Sequence, residues 1–153
     1  MVLGAIGDTG YNIMLFIHIL AMIVAFAPSF VWPFVNVTLR NTGDADPAAT
    51  INRMNAGSIQ RIYGPALVLG GLVGFGLAGM SEKVYSMSQT WLVLAAIVWV
   101  ALIAIYFGLI TPTERKISAG DSSAAKMLGM AHGIVHLLAA VGLLLMVFKP
   151  GFG

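Results

Sequence analysis

Four uninterrupted apolar runs organise the chain, at residues 11–37, 62–80, 91–110 and 127–148. None contains Asp, Glu, Lys or Arg. Each approaches or exceeds the ~20 residues that carry a helix across the hydrocarbon core of a bilayer. The runs are continuous rather than alternating, which predicts spanning helices and not the strands of a barrel. The expected fold is an all-α polytopic membrane protein, a four-transmembrane-helix bundle forming one transmembrane domain over 1–153.

Polar punctuation sets the joints. Asp46 before Pro47 reads as an N-cap followed by a first-turn proline. A helix starting there is expected to run through Arg53 and Arg61 into the second span. Thr111-Pro112-Thr113 ends or kinks the third span. Gly120-Asp121-Ser122 forms a loop and cap before the fourth, and Lys149-Pro150-Gly151 stops it. Pro28 and Pro33 lie inside the first run, and each frees an upstream carbonyl that needs a donor from elsewhere in the bundle. The opening MVLGAIGDTG has no basic residue, so it lacks the basic region of a signal peptide and the first helix is expected to be retained.

Composition and charge sharpen this picture. The chain is 59% hydrophobic and 9% charged, and its mean hydropathy is +0.92. That excludes a soluble enzyme and a disordered tail. The eight basic residues are scattered and the net charge is only +2, which excludes a nucleic-acid partner. With no cysteine there is no disulfide, thiolate metal site or thiol nucleophile. Arg40, Arg53 and Arg61 fall between the first two spans, and Arg115, Lys116 and Lys126 between the last two. Only Lys83 and Lys149 lie on the opposite side. The bias predicts that both longer loops are cytoplasmic and both termini are outside. Trp32, Trp91, Tyr85 and Tyr106 are expected as anchors at or near the membrane interfaces. The lipid bilayer is the first partner, and a short-looped bundle also suggests a homo-oligomer or subunits of a larger membrane complex.

The second run carries small residues four apart, Ala66, Gly70, Gly74 and Ala78. This spacing lets a neighbouring backbone approach closely, or offers a flat face to a planar cofactor. Polar groups in the hydrocarbon are costly unless partnered, so His18, His132 and His136 are candidate site residues. His132 and His136 share one helix face with Gly129 and Gly133 on or beside it, a surface stripped of bulk. Such a surface suits either close helix packing or a haem iron between bundled helices. Counting in from the span ends, His18 and His136 differ in height by about 6 Å, so they share one haem only if the helices tilt or the span boundaries shift by about a turn. Arg61 is a candidate for the haem propionates, and also a plain topology determinant. Nine methionines, Met127 and Met130 near His132 among them, admit a weaker copper-uptake reading. No pair of carboxylates, and no serine with histidine and acid, suggests hydrolysis.

These segments resemble one group of bacterial membrane proteins. Leu15-Phe-Ile-His18-Ile-Leu-Ala-Met running on to Pro33, Arg61-Ile62-Tyr63-Gly64-Pro65-Ala66, and Val147-Phe148-Lys149-Pro150 look like the first, second and last helices of the haem-containing protoporphyrinogen oxidase (HemJ) and copper-resistance-protein-D-like group. A related family of short bacterial four-span proteins is closest in style. The resemblance implies haem b bound through His18, with His136 or His132 opposite or at a second site. It implies electron transfer or haem handling in the bacterial cytoplasmic (inner) membrane. The oxidase's third helix opens with a lysine, whereas this one opens Trp91-Leu-Val-Leu-Ala. That departure points away from oxidase catalysis. The alternative expectation is a non-catalytic accessory or structural subunit.

Overall fold

The computed structural model describes residues 6–55, 57–82 and 84–151. Helix is the only regular secondary structure among those residues, with six α-helices: α1 (Thr9–Asn41), α2 (Pro47–Asn55), α3 (Gly64–Met80), α4 (Thr90–Ile105), α5 (Thr111–Ser118) and α6 (Ala125–Phe148). Four helical stretches are long and apolar enough to cross a membrane: Thr9–Asn41, Ile59–Met80, Thr90–Ser118 and Ala125–Phe148. The all-α four-helix bundle expected from the runs is what the chain forms. Lys83, counted above for topology, lies outside the described residues.

The bundle is built from two closely packed pairs. α1 packs along α3, and α4 along α6. Ala25, Leu67, Leu102, Tyr106, Ile110, Ala131 and Val135 form the core where the pairs meet. Large apolar side chains cover the outside, Phe16, Ile23, Phe34, Ile97, Leu137 and Leu143 among them. That inversion is stable only where the surroundings are apolar, as in lipid.

The caps follow the polar punctuation. The Asp46 carboxylate accepts from the Ala49 amide at 3.0 Å, with Pro47 opening α2. Asp121 accepts from the Ser123 amide at 3.1 Å, and the Ser123 contacts hold its carboxyl below the usual carboxylate range. Lys149 ends α6 in the left-handed conformation, φ 43°. The helix begun at Pro47 does not continue into the second span. It stops at Asn55, and Gly57 turns the chain at φ +74°, which a residue with a Cβ adopts only under strain.

Two π-helical turns lie inside the spans, Ile59–Tyr63 before α3 and Tyr106–Ile110 between α4 and α5. Each runs into a proline, Pro65 or Pro112, whose missing N–H breaks the regular ladder. Threonine hydroxyls repair the second one. Thr111 donates to the Tyr106 carbonyl at 2.9 Å, and Thr113 to Leu109 at 2.6 Å. The helix therefore continues past Pro112 to Ser118 instead of ending there. The two π turns meet where Phe107 packs on Gly64, whose missing Cβ makes the room.

At one end of the bundle α2 lies against α5, so the loops following α1 and α5 share that end. At the other, Lys149 donates to the Tyr85 hydroxyl at 2.9 Å and lies 4.7 Å over its ring. Tyr85 in turn meets Trp91 edge-on at 5.5 Å. Trp91 and Tyr106 are both buried, so each packs inside the bundle.

Candidate functional site: polar rings on exposed carbonyls

The candidate site residues of the spans fall at separate stations, and one device recurs among them. A glycine or proline uncovers a backbone carbonyl three or four residues upstream, and a polar ring from another helix donates to it.

On α3 the device relies on glycine. The Trp99 indole of α4 lies where a Gly71 side chain would be and donates to the Leu67 carbonyl at 2.9 Å. The His18 imidazole of α1 lies against Gly74, 3.0 Å from where a Cβ would sit, and its Nδ1 meets the Gly70 carbonyl at 2.7 Å. In each case the accepting carbonyl is four residues before the glycine. That carbonyl also closes the helical ladder, and its second lone pair takes the ring. A side chain at the glycine would cover this lone pair.

Gly70 itself admits Met22 and Ala21 of α1, and Gly76 admits Met14. Ala66 packs beside the core, and Ala78 is buried against Trp91 and Leu92. The small-residue face of the second span is therefore a packing seam filled by this chain's own side chains, two of them planar rings.

On α1 the device relies on proline. Pro33 has no N–H for the Ser29 carbonyl. His136 of α6 supplies the donor through Nε2, its ring tilted against Phe30 at 5.1 Å. Pro28 opens the helix one turn earlier, and the Tyr106 hydroxyl donates to the Ala25 carbonyl at 2.7 Å. The expected donor for the carbonyl freed by Pro33 is supplied by His136, and the Tyr106 hydroxyl adds a second fastening one residue from the Val24 carbonyl that Pro28 leaves without an N–H.

A carbonyl oxygen only accepts, so each bonded ring nitrogen carries the proton. In His18 the bonded nitrogen is Nδ1 and in His136 it is Nε2. His132 turns back onto its own helix, with Nδ1 3.0 Å from the Leu128 carbonyl.

The structure does not bring the histidines together. His136 meets α1 at Ser29, eleven residues beyond His18, which is about 16 Å along a helix. The 6 Å offset expected from span counting is too small, because the first apolar run, about 40 Å of helix, is longer than the ~30 Å core and its first residue does not mark the outer edge. Arg61 is exposed beside Gly57, nine residues before Gly70 and so roughly 13 Å from the His18 level. Among the described residues no group of three or more His, Asp or Glu side chains is placed to hold a metal ion.

Gly129 and Gly133 differ from the α3 glycines. Both are exposed, and a Cβ on either would meet nothing within 4 Å. The buried stripe of α6 is instead Ala131, Val135 and Leu145. These two glycines seat no helix of this chain.

Sequence reading passes over two further groups. Trp99 and Tyr106 look like core and interface aromatics, yet both fasten helices. Their signals were a glycine four residues after Leu67 and a proline three residues after Ala25. The second group is a polar knot between α2 and α5. Asn52 donates to the Ser118 hydroxyl at 2.8 Å and to the Glu114 carbonyl at 3.3 Å, and Asn55 to the Glu114 carboxylate at 3.2 Å. The three-residue spacing of Asn52 and Asn55 on one helix was its only trace in the sequence.

Comparison of the chain with family models, with curated proteins and with solved structures finds no match.

Proposed function

We propose that this chain is a non-catalytic accessory subunit of a bacterial cytoplasmic-membrane complex, a rigid four-span bundle that packs against partner helices. The observation that carries this reading is the commitment of His18, Trp99, Tyr106 and His136 to carbonyls of neighbouring helices. The groups best suited to chemistry in the spans are used to fix the bundle's geometry. The open Gly129-x-x-x-Gly133 face then offers close approach to a helix of another subunit or a second copy. The Lys and Arg bias supports cytoplasmic loops and outer termini. With no native cysteine, a single introduced Cys at Asp44 or Ser88 reports each side separately by labelling with a membrane-impermeant maleimide.

Assembly is tested by gentle extraction and native mass measurement. The wild type is expected in a particle heavier than one 16.1 kDa chain. Gly133→Leu, which puts bulk on the open face without touching the core, is expected to release the single chain. A wild type that runs as one chain, or an unchanged assembly in Gly133→Leu, contradicts the reading.

One observation favours a second reading, haem b on His18. Donation from Nδ1 to a backbone carbonyl is the second-shell arrangement of histidines that bind a metal through Nε2. A Soret band lost in His18→Ala is the result that reading requires.

A further inference from the structure

The end of the bundle that holds α2 contains a cavity of about 110 Å³, lined by Asn52, Gln60, Thr111, Glu114, Arg115 and Ser118 together with Gly57 and Ile59. The cavity lies between α2, the first π turn and α5, and it takes no part in fastening the spans.

The inner lining, Asn52, Thr111 and Glu114, is left with acceptors, while the donors of Gln60 and Arg115 belong to exposed side chains. The Asn52 amide nitrogen donates to Ser118 and to the Glu114 carbonyl. Asn55 donates to one oxygen of the Glu114 carboxylate, and the Thr111 hydroxyl donates to the Tyr106 carbonyl. The second carboxylate oxygen of Glu114, the amide oxygen of Asn52 and the lone pairs of Thr111 remain. Asn55, only 3% exposed, keeps an amide oxygen with no donor at all beside the same carboxylate. The Arg115 side chain is exposed at the rim and forms no ion pair with Glu114.

Size and charge narrow the occupant. The volume equals three or four waters at about 30 Å³ each, which admits an ion with part of its hydration shell and excludes a nucleotide or lipid headgroup. Hard oxygen donors suit an alkali or alkaline-earth ion. A single carboxylate balances one positive charge, whereas calcium sites gather several carboxylates.

We propose that this cavity binds one monovalent metal cation, held by the Glu114 carboxylate with the oxygens of Asn52 and Thr111, and that the bound ion ties α2 to α5. The test is sodium-23 NMR on the full chain in a zwitterionic detergent, with choline chloride holding the ionic strength constant. The wild type is expected to broaden the sodium line beyond the detergent alone, and KCl is expected to reverse this. Glu114→Gln is expected to lose the excess broadening. Arg115→Gln removes a competing positive charge from an exposed position, so it is expected to lower the half-saturating sodium concentration several-fold. If Glu114→Gln fails to fold, the wild-type displacement by potassium and the Arg115→Gln shift decide the matter alone. No excess broadening in the wild type overturns the proposal. So does broadening that potassium leaves unchanged, that survives in folded Glu114→Gln, or that weakens or stays the same in Arg115→Gln.

Discussion

Gly71→Ala is expected to be the most damaging single-methyl change in the chain, destabilising the bundle by about 3 kcal/mol. The added Cβ falls on the Trp99 indole, so the ring must leave α3. Overpacking of this kind costs about 1–3 kcal/mol. The displaced indole N–H also loses the Leu67 carbonyl, and an unsatisfied buried donor costs about 1–3 kcal/mol more. Equilibrium unfolding in mixed micelles, followed by tryptophan fluorescence, measures the loss. Gly79→Ala is the control, since a Cβ there meets nothing within 4 Å, and it is expected to be nearly neutral. Equal stabilities of the two variants would remove the ring-on-glycine device from the account.

The second large effect is a coupling between His136 and Pro33. His136→Ala strips the Ser29 carbonyl of its donor and removes the ring from Phe30. Interhelical hydrogen bonds in membrane proteins contribute about 0.6 kcal/mol on average and up to about 1.7 kcal/mol. With the lost ring packing, about 2 kcal/mol of destabilisation is expected. Pro33→Ala restores a backbone N–H four residues beyond Ser29, so the carbonyl no longer depends on the histidine. In the double variant His136→Ala should therefore cost about 1 kcal/mol less than in the wild type. A double-mutant cycle in the same micelle assay reads this directly. Strict additivity would show that His136 serves some purpose other than completing α1.

Much of this architecture can be read from the sequence, and the reason is physical. A helix in hydrocarbon satisfies its own backbone, so charge-free runs of ~20 residues mark the spans. Asp46-Pro47 and Asp121 mark helix starts, because a carboxylate there meets amides that have no partner within the helix. The break at Gly57 was not legible. A single glycine between two helical patterns is compatible with either continuation or a turn, and the choice depends on α2 docking onto α5 through Asn52 and Asn55.

The sites were legible as residues but not as partners. Three histidines and two prolines stand out in so apolar a chain, and the need for donors below Pro28 and Pro33 follows from missing N–H groups. Which donor answers which carbonyl depends on helix rotation and on relative height. The apolar runs do not encode height closely, since the first run, about 40 Å of helix, is longer than the ~30 Å hydrocarbon core. The small-residue pattern was ambiguous for a related reason. Gly71 and Gly74 admit rings of the same chain, whereas Gly129 and Gly133 admit none, and spacing alone does not separate the two cases.

We propose that the rings within the spans fasten helices and do not serve a prosthetic group. The most direct test is the visible absorption spectrum of the protein purified from its own host, oxidised and then reduced with dithionite. Aromatic absorption alone is expected, with no Soret, α or β band in either state. A Soret band with sharp reduced α and β bands, abolished by His18→Ala in protein that is still folded, would contradict it and make His18 a haem ligand.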